Sequence, residues 1–323
     1  MTNQSFERFE ARKKSLESNG TVHSFERWSS PHTHPGGSVL RLATQKLRVL
    51  ALFALRRLVS GQGRTTALGP LSKLSGSATG KEVLVIASGP SATTLNAEAV
   101  AKAQKAGTLT VVATNYFLSS PLAKTISPDY LLWSDSVFHP RNRKTNPSWG
   151  LLAEHPTTTV VSPWTWKLRV PGEFASRMVY FDDDTLETWS RNISPLKPRG
   201  YQGTTGAKAL ALGIHLEPKT TYVIGLDLSY FRHFSVDADN RVWRHPAHVA
   251  GTDSGNQDLT HNTVSGIADS LYSTANQFYY LKALFSGFPV VNLDPDSLVD
   301  AFPKVTSHPL VKKTRARTSA SKK

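Results

Sequence analysis

The sequence of 323 residues contains no cysteine. This absence excludes a disulfide framework, a thiolate metal site and a cysteine nucleophile, and it suits a reducing cytoplasm. Long apolar runs are also missing, since the longest uninterrupted one spans only residues 49–55. A membrane-spanning helix needs roughly 20 apolar residues, so none is expected here. The opening residues are polar and show no signal peptide.

Acidic residues are scarce at both ends of the chain. Residues 1–80 carry 12 Lys and Arg against 4 Asp and Glu, and residues 301–323 carry 7 basic residues and no acidic one. Of the total net charge of +14, this leaves about −1 for residues 81–300. A duplex-binding protein usually carries its basic face on the folded domain, so nucleic acid is not the expected partner. Basic ends suit an anionic membrane surface.

Changes in composition predict five regions. They are a disordered leader (1–37), a basic amphipathic helix (38–60), a linker rich in Gly, Ser and Thr (61–80), a folded domain (81–303) with a lid insertion at about 231–264, and a basic disordered tail (304–323).

The helix predicted over residues 38–60 has leucines near helical spacing among Arg and Lys. This pattern is typical of an interfacial helix that lies on anionic lipid. A helix that packs on the domain or on a second subunit has the same pattern, so a homo-oligomer is also compatible with it. We expect a cytoplasmic protein held peripherally at the inner face of the cell membrane.

Short apolar runs alternate with helical patterns between the linker and the tail. This alternation predicts an α/β domain of Rossmann-like architecture, with a mostly parallel sheet and helices on both faces. Helices are expected over residues 92–106, 204–216 and about 265–286. The predicted strands span residues 82–87, 108–115, 129–135, 158–163, 177–184, 221–228 and 289–293. In such sheets ligands bind beyond the carboxyl ends of the strands.

The turn Ser88-Gly89-Pro90-Ser91 follows the first strand. Gly89 allows the backbone to approach a ligand closely, Ser91 is placed to cap the next helix, and a helix N-terminus attracts phosphate. The turn lacks the glycine spacings of a dinucleotide fingerprint and of a Walker loop. A purely structural turn has the same sequence, so both interpretations stay open.

Further polar residues follow the other strands. Asn115 offers a donor and an acceptor for a base edge or a ribose, or it simply forms a turn. Gln202-Gly203-Thr204-Thr205-Gly206 precedes a helix and is a second candidate anion site. Asp227 could bind ribose hydroxyls or hold a loop. Ser134, Asp135 and Ser136 occupy the corresponding place after the third strand.

Histidines and an acidic triplet complete the candidates. His233, His245, His248 and His261 lie in the lid insertion, where a histidine could act as general base or remain solvated. A metal site is the rival interpretation of His245 and His248, but no third ligand is evident. Asp182-Asp183-Asp184 follows the fifth strand, and its pattern favours a solvated loop over a magnesium platform.

An ordered set of segments resembles the bacterial sialyltransferases of glycosyltransferase family 42, which transfer sialic acid from CMP-sialic acid to lipooligosaccharide. That family has blocks that read roughly GNGPS, CNQF, YNPS, TSG, GIDFY and CPNSLL. The resemblance covers about residues 82–303. The corresponding segments here are VLVIASGPSA, VVATNYF, LLWSDSVF, QGTTGAKALALGI, YVIGLDLSYF and VVNLDPDSLVDAF.

The resemblance implies a variant of the GT-A glycosyltransferase fold and a role for each matching residue. His261 corresponds to the catalytic base, and Tyr230 lies one position from a tyrosine that holds the donor phosphate. The residues implied to bind the substrate are Ser88, Gly89, Pro90, Ser91, Asn115, Ser134, Thr204, Thr205, Gly206, Gly225, Leu226 and Asp227. Ser88 and Ser134 stand where the family has asparagine, and Gln202 stands where it has arginine, which bears on sugar and base specificity.

GLDLSYF and the preceding TTG helix also resemble a second group of proteins. It joins motility-accessory-factor glycosyltransferases, which attach nonulosonic acids to flagellin, with archaeal 6-hydroxymethylpterin pyrophosphokinases. The two resemblances together imply an inverting, metal-independent transfer of sialic acid or a related nonulosonic acid from a CMP-sugar donor. The acceptor would be a cell-envelope glycan, glycolipid or protein. The alternatives are a magnesium-dependent pyrophosphokinase and a non-catalytic, membrane-associated nucleotide-binding protein.

Overall fold

A computed structural model of the chain describes residues 39–184, 191–198, 203–229, 234–239, 241–244, 257–258 and 266–312. The chain divides into two compact units. The larger unit comprises Arg64–Ser229, Pro246–Ser254 and Thr274–Lys323, and the smaller comprises Met1–Gly63, Tyr230–His245 and Gly255–Ser273. No helix within the described ranges is both long and apolar enough to cross a membrane.

The larger unit is built on a seven-stranded sheet in the order β10-β6-β1-β2-β3-β4-β5, and every neighbouring pair is parallel. Its strands are β1 (Glu82–Ile86), β2 (Leu109–Thr114), β3 (Tyr130–Leu132), β4 (Thr159–Pro163), β5 (Met178–Phe181), β6 (Thr220–Ile224) and β10 (Val290–Asn292). Each of the seven predicted strands is confirmed. Six lie within their predicted bounds, whereas β6 begins one residue earlier, and β3 has three residues where seven were predicted.

The α-helices of the described residues are α1 (Val39–Ser72), α2 (Ala97–Lys105), α3 (Ser148–Leu151), α4 (Gly172–Ala175), α5 (Thr205–His215) and α6 (Gly266–Phe285). In the smaller unit, β7 (Phe234–Val236), β8 (Val242–Arg244) and β9 (Gln257–Asp258) form an antiparallel sheet. These three strands fall within the segment predicted as a lid.

Helices cover both faces of the sheet. Alternate residues of β1 point to opposite faces, so their contacts show what covers each face. Leu84 and Ile86 join the core cluster that also contains Val100 of α2. Val83 and Val85 face α5, where a Cβ on Gly213 would lie within 3.2 Å of both side chains. These four residues of β1 are buried, which explains the continuous apolar run in the sequence. The prediction of a Rossmann-like α/β fold is confirmed.

The order in which the chain adds strands to the sheet reverses between β1 and β6, although all the strands remain parallel. From β1 the chain adds strands on one side as far as β5, and β6 then returns to the opposite side of β1. Such a switch point opens a crevice at the carboxyl ends of the strands, and open α/β sheets bind ligands there. The described candidate residues that follow β1, β2, β3 and β6 therefore lie on one edge of the sheet.

Two predicted boundaries were wrong. Residues 61–72 are helical rather than linker, because α1 continues to Ser72 and buries Ala67 and Leu71 completely or nearly so. Residues 304–312 are not a loose tail. Leu310 is buried, Val311 forms a bridge with Leu95, and the Leu310 carbonyl accepts from the backbone N–H of Asn96. Burial of apolar side chains outweighs the Gly-rich and basic composition at both places.

Candidate functional site

The ends of β1 and β6 are joined by hydrogen bonds among Gly89, Ser91, Gly225 and Asp227, which we call the closed half of the edge. The Gly89 N–H donates to the Gly225 carbonyl at 2.8 Å, and the Gly225 N–H donates to Ser91 Oγ at 3.0 Å. The Ser91 N–H donates to Asp227 Oδ2 at 3.0 Å, and the Ser91 hydroxyl donates to Asp227 Oδ1. Asp227 thus holds a loop, one of its two predicted roles.

The glycines of the closed half are required by the protein itself. A Cβ on Gly89 would overlap the Asp227 carboxylate and the Gly225 carbonyl oxygen. Gly225 has φ of +76°, and a Cβ there would overlap the Ala87 backbone. The backbone conformation and close approach account for both residues without a ligand.

The turn after β1 differs from the predicted phosphate site. Pro90–Thr94 is a short 3-10 helix, and α2 begins only at Ala97, where Asn96 accepts from the Ala99 N–H at 3.2 Å. The prediction that Ser91 caps the next helix was wrong. Asp227 already accepts the Ser91 N–H, so that an anion here would face a carboxylate. Ser88 Oγ lies 3.2 Å from Thr114 Oγ1. Pro90 begins the 3-10 helix, and Leu226 lies between Gly225 and Asp227.

Burial raises the pKa of Asp227 above its ordinary value, the bonds from Ser91 oppose this shift, and the nearby Asp294 carboxyl raises the pKa further. Desolvation disfavours the charged form of a carboxyl, and a second carboxylate has the same effect. Asp294 follows β10, so Asp227 stands between the ends of two other strands.

The ends of β2 and β3 meet the first turn of α5 in a cluster that we call the open half: Asn115, Ser134, Asp135, Thr205 and Lys208. Asn115 Nδ2 donates to Asp135 Oδ2 at 2.6 Å and to Thr205 Oγ1 at 3.2 Å. The Thr205 hydroxyl lies 3.2 Å from Asp135 Oδ1 and 2.8 Å from Ser134 Oγ. Lys208 Nζ donates to Ser134 Oγ at 3.2 Å.

Asn115 combines backbone strain with an unmet hydrogen bond. Its φ is +47°, a left-handed conformation that costs a non-glycine residue about 1 kcal/mol. Trp133 Nε1 donates to its carbonyl at 3.2 Å. The side chain is 9% exposed, and its Oδ1 accepts from none of the described residues. A buried acceptor without a donor costs roughly 1–3 kcal/mol, and this combination is typical of a functional position.

The first turn of α5 provides donors to the open half. Thr204 Oγ1 accepts from the Ala207 N–H at 3.1 Å, which confirms the predicted helix start. The N–H groups of Thr205 and Gly206 have no partner within the helix, as at every helix N-terminus. A Cβ on Gly206 would lie 2.9 Å from Leu226 Cδ1 and 3.2 Å from Ala87 Cβ, so the glycine brings this turn against the ends of β1 and β6.

The acidic triplet after β5 is not the solvated loop that the sequence suggested. Asp182 is fully buried and accepts from Arg64 Nη1 at 2.6 Å, and its Oδ1 accepts from the Asp184 N–H at 3.1 Å. Asp184 is also buried, and Thr165 donates to Asp183 at 2.9 Å. One carboxylate oxygen from each aspartate lies within 4.8 Å of the other two, so the triplet is a candidate cation site.

Several predicted site residues lie outside the described residues. They include the two catalytic candidates, His261 and Tyr230, and the roles of all these residues stay predictions. They are Tyr230, His233, His245, His248, His261 and Gln202.

Sequence reasoning placed Asp135 at a strand end without assigning it a role, and it missed Lys208. Asp135 directly follows Ser134 at a strand end, which was the available signal for it. Lys208 is three residues after Thr205, a spacing that places the two side chains on the same face of α5. Burial first, and then the Asp135 charge, raise the pKa of the Tyr116 hydroxyl, so a phenol also lies beside the open half.

No protein-family model and no curated protein sequence matches the chain. A solved structure of MAf glycosyltransferase from Magnetospirillum magneticum AMB-1 is similar, with a TM-score of 0.41 and 13% identity. The similarity covers 74% of this chain and 38% of that one, so the chain spans well under half of that protein. A likeness at this level carries no argument about activity. The Rossmann-like assignment rests on the parallel sheet and its reversal between β1 and β6.

Proposed function

We propose that the chain is a glycosyltransferase that binds a nucleotide-activated sugar at the open half. The observation that carries this proposal is the cluster of Asn115, Asp135 and Thr205, in which a buried amide oxygen lacks a donor beside a helix N-terminus. Acceptors next to free N–H groups suit a ligand that has both hydroxyls and a phosphate. The sequence resemblance supports a CMP-linked nonulosonic acid as the donor.

The proposed reaction inverts the anomeric carbon of the sugar. His261 takes the proton of the acceptor hydroxyl while its oxygen attacks the anomeric carbon, and the bond from that carbon to the CMP phosphate oxygen breaks. The phosphate leaves with the electron pair of that bond. Tyr230 and the N–H groups of the first α5 turn stabilise the charge that develops on it.

The test measures release of CMP from CMP-sialic acid in the presence of lipooligosaccharide, with and without EDTA. We expect turnover that survives EDTA, falls at least a hundredfold in His261→Ala, and is retained in His233→Ala, a second histidine from the same insertion. Full activity of His261→Ala, or complete loss with EDTA, contradicts the mechanism. Binding of CMP without turnover on any acceptor indicates the non-catalytic alternative.

A magnesium-dependent pyrophosphokinase is the second candidate, and the acidic triplet favours it. Three carboxylates on one loop suit a divalent cation that binds the phosphates of a nucleoside triphosphate. Arg64 opposes this function, because its guanidinium already neutralises Asp182 at 2.6 Å. Consumption of ATP that requires Mg²⁺ and is lost in Asp183→Asn would establish this candidate in place of the transferase. Asp183 is the suitable target, since Asp182 is fully buried in the ion pair.

We also propose that the first part of α1 lies on an anionic membrane. Leu47, Leu55 and Leu58 are exposed by 64%, 58% and 81%, and their spacing places them on one helix face together with the exposed Ala51. The same helix contains five Lys and Arg between residues 41 and 57. An exposed apolar face among basic residues suits acidic lipid headgroups.

Vesicle flotation tests this surface. The chain should float with phosphatidylglycerol-containing vesicles at low salt and not with phosphatidylcholine vesicles, and the double variant Leu55→Gln/Leu58→Gln should weaken this binding severalfold. Equal binding of the double variant would show that the apolar face does not contact lipid. Loss of self-association in that variant, without any vesicle binding, would instead identify a second copy of the chain as the partner.

A further inference from the structure

Asp135 is exposed, but its carboxylate has a fixed orientation. Oδ2 accepts from Asn115 Nδ2 at 2.6 Å, and Oδ1 accepts from the Thr205 hydroxyl at 3.2 Å. An ionised carboxylate accepts about four hydrogen bonds, so each oxygen retains capacity for another donor. The closed half differs, because the Asp227 carboxylate is buried against Ser91.

Asn115 adds a second acceptor beside Asp135. Donation from Nδ2 to a carboxylate fixes which end of the amide is oxygen. The remaining Oδ1 is buried, and none of the described residues donates to it. A phosphate oxygen cannot satisfy this atom, whereas a hydroxyl or an amino group can. The two acceptors together therefore suit neighbouring donor groups on one ligand.

The open half also contains hydrogen-bond donors, at the start of α5. The N–H groups of Thr205 and Gly206 begin α5, and Lys208 donates to Ser134 Oγ at 3.2 Å. A helix N-terminus with a nearby lysine attracts an anion, which Asp135 would repel from its own position. The cluster thus suits a ligand in which vicinal hydroxyls lie close to a phosphate, as in a ribonucleoside 5′-phosphate.

We infer that Asp135, oriented by Asn115 and Thr205, binds the ribose hydroxyls and makes the site selective for ribonucleotides over 2′-deoxyribonucleotides. This inference rests on the proposed function and deepens it by naming the part of the donor that the open half recognises. A carboxylate at a strand end has the acceptor geometry that a ribose diol needs. A site that pairs a hydroxyl also rejects a ligand that lacks it, because its own acceptor is then left unpaired.

Isothermal titration of the full chain with CMP and with 2′-deoxy-CMP tests the inference. We expect CMP to bind at least tenfold more tightly than 2′-deoxy-CMP. In Asp135→Asn the affinity for CMP should fall about tenfold. The affinity for 2′-deoxy-CMP, which keeps only the 3′-hydroxyl, should fall less, so that the preference narrows. Glu173→Gln is the matched control, because it removes an exposed carboxylate of α4 whose ion-pair partner is Arg143 at 3.6 Å and not a residue of the open half.

The outcomes separate this inference from the proposed function. Equal affinity of the unmodified chain for the two nucleotides overturns the ribose assignment and leaves a nucleotide site in place. An Asp135→Asn variant that loses affinity for both ligands equally also overturns it, since the carboxylate would then act on the base or on the cluster as a whole. Binding of neither nucleotide overturns both the inference and the proposed donor. Thermal unfolding of each variant confirms that it is folded.

Discussion

The two halves of the sheet edge both place polar residues beyond buried strands, but they differ in how the polar groups are satisfied. In the closed half, Ser91 and Asp227 hydrogen-bond to each other, and the glycines are required by backbone contacts. In the open half, Asn115 adopts a strained conformation and keeps a buried oxygen without a donor among the described residues. A Gly-Ser turn after a strand is therefore not by itself a ligand site. An unsatisfied polar group is the more informative signal.

The difference predicts that variants of the closed half lose stability, whereas variants of the open half lose affinity. Each half therefore supplies the control for the other. An edge in which both sets of variants lost stability and affinity together would break the comparison.

The largest effect is expected for Gly225→Ala. A left-handed φ costs a non-glycine residue about 1–2 kcal/mol, and overlap of the new Cβ with the Ala87 backbone adds about 1–3 kcal/mol. We expect the free energy of unfolding in urea to fall by about 4 kcal/mol. Gly206→Ala is the control, since its Cβ meets the flexible end of Leu226 at 2.9 Å and alanine favours the helix. A smaller loss for Gly225→Ala than for Gly206→Ala contradicts this expectation.

A third strand end sharpens the comparison, because Asp182 after β5 is satisfied by an ion pair. Arg64→Ala would remove the guanidinium that pairs with this fully buried carboxylate at 2.6 Å, with an expected loss of about 3 kcal/mol in urea denaturation. The Lys282–Asp300 pair has the same N–O distance of 2.6 Å, but both side chains are 61% exposed, so Lys282→Ala should leave stability unchanged. Equal effects of the two variants would show that burial does not decide the strength of these pairs.

The pH dependence of stability tests the closed half directly. Burial raises the pKa of Asp227, so the folded state favours its protonated form. The resulting stability is present below the pKa that the carboxyl has in the unfolded chain. It is lost as the pH rises through the raised pKa of the folded state.

Asp227→Asn removes this titration. The stability of the unmodified chain relative to Asp227→Asn should therefore decrease as the pH rises above about 4, the ordinary pKa of an aspartate, measured by urea denaturation at a series of pH values. A difference that is constant, or that grows with pH, would show that the folded state does not favour the protonated carboxyl. Titration of the Asp227 carboxyl carbon by NMR gives the direction of the pKa change independently.

The fold was predictable because its strands are buried on both faces. EVLVI of β1 and TYVI of β6 are apolar runs for which a parallel sheet is the simplest explanation, and parallel strands place their carboxyl ends on one edge. Asn115 and Ser134 were candidates because each follows a strand, and Thr205 because it begins a helix. The structure joins all three in the open half.

The rest depends on contacts between distant parts of the chain. Ser91 meets Asp227 across 136 positions, and Arg64 meets Asp182 across 118, and no local pattern encodes either pair. The continuation of α1 past Gly61 to Ser72 also contradicts local propensity, since the segment contains Pro70. The helix forms there because it buries Leu71. Asp135 was recognised only as a residue at a strand end, because its role appears only when Asn115 and Thr205 approach it.

The smallest expected effect separates stability from affinity within one residue. Asn115→Gly and Asn115→Ala both remove the amide, so both should weaken CMP binding about equally. Glycine adopts the φ of +47° without a steric cost, so Asn115→Gly should be more stable than Asn115→Ala by about 1 kcal/mol in urea denaturation. Equal stability would mean that the left-handed conformation relaxes when the amide is removed. The expected result would show that the backbone at Asn115 bears the strain while its side chain provides the affinity. In the closed half, where the polar groups bond to one another, we expect an effect on stability alone.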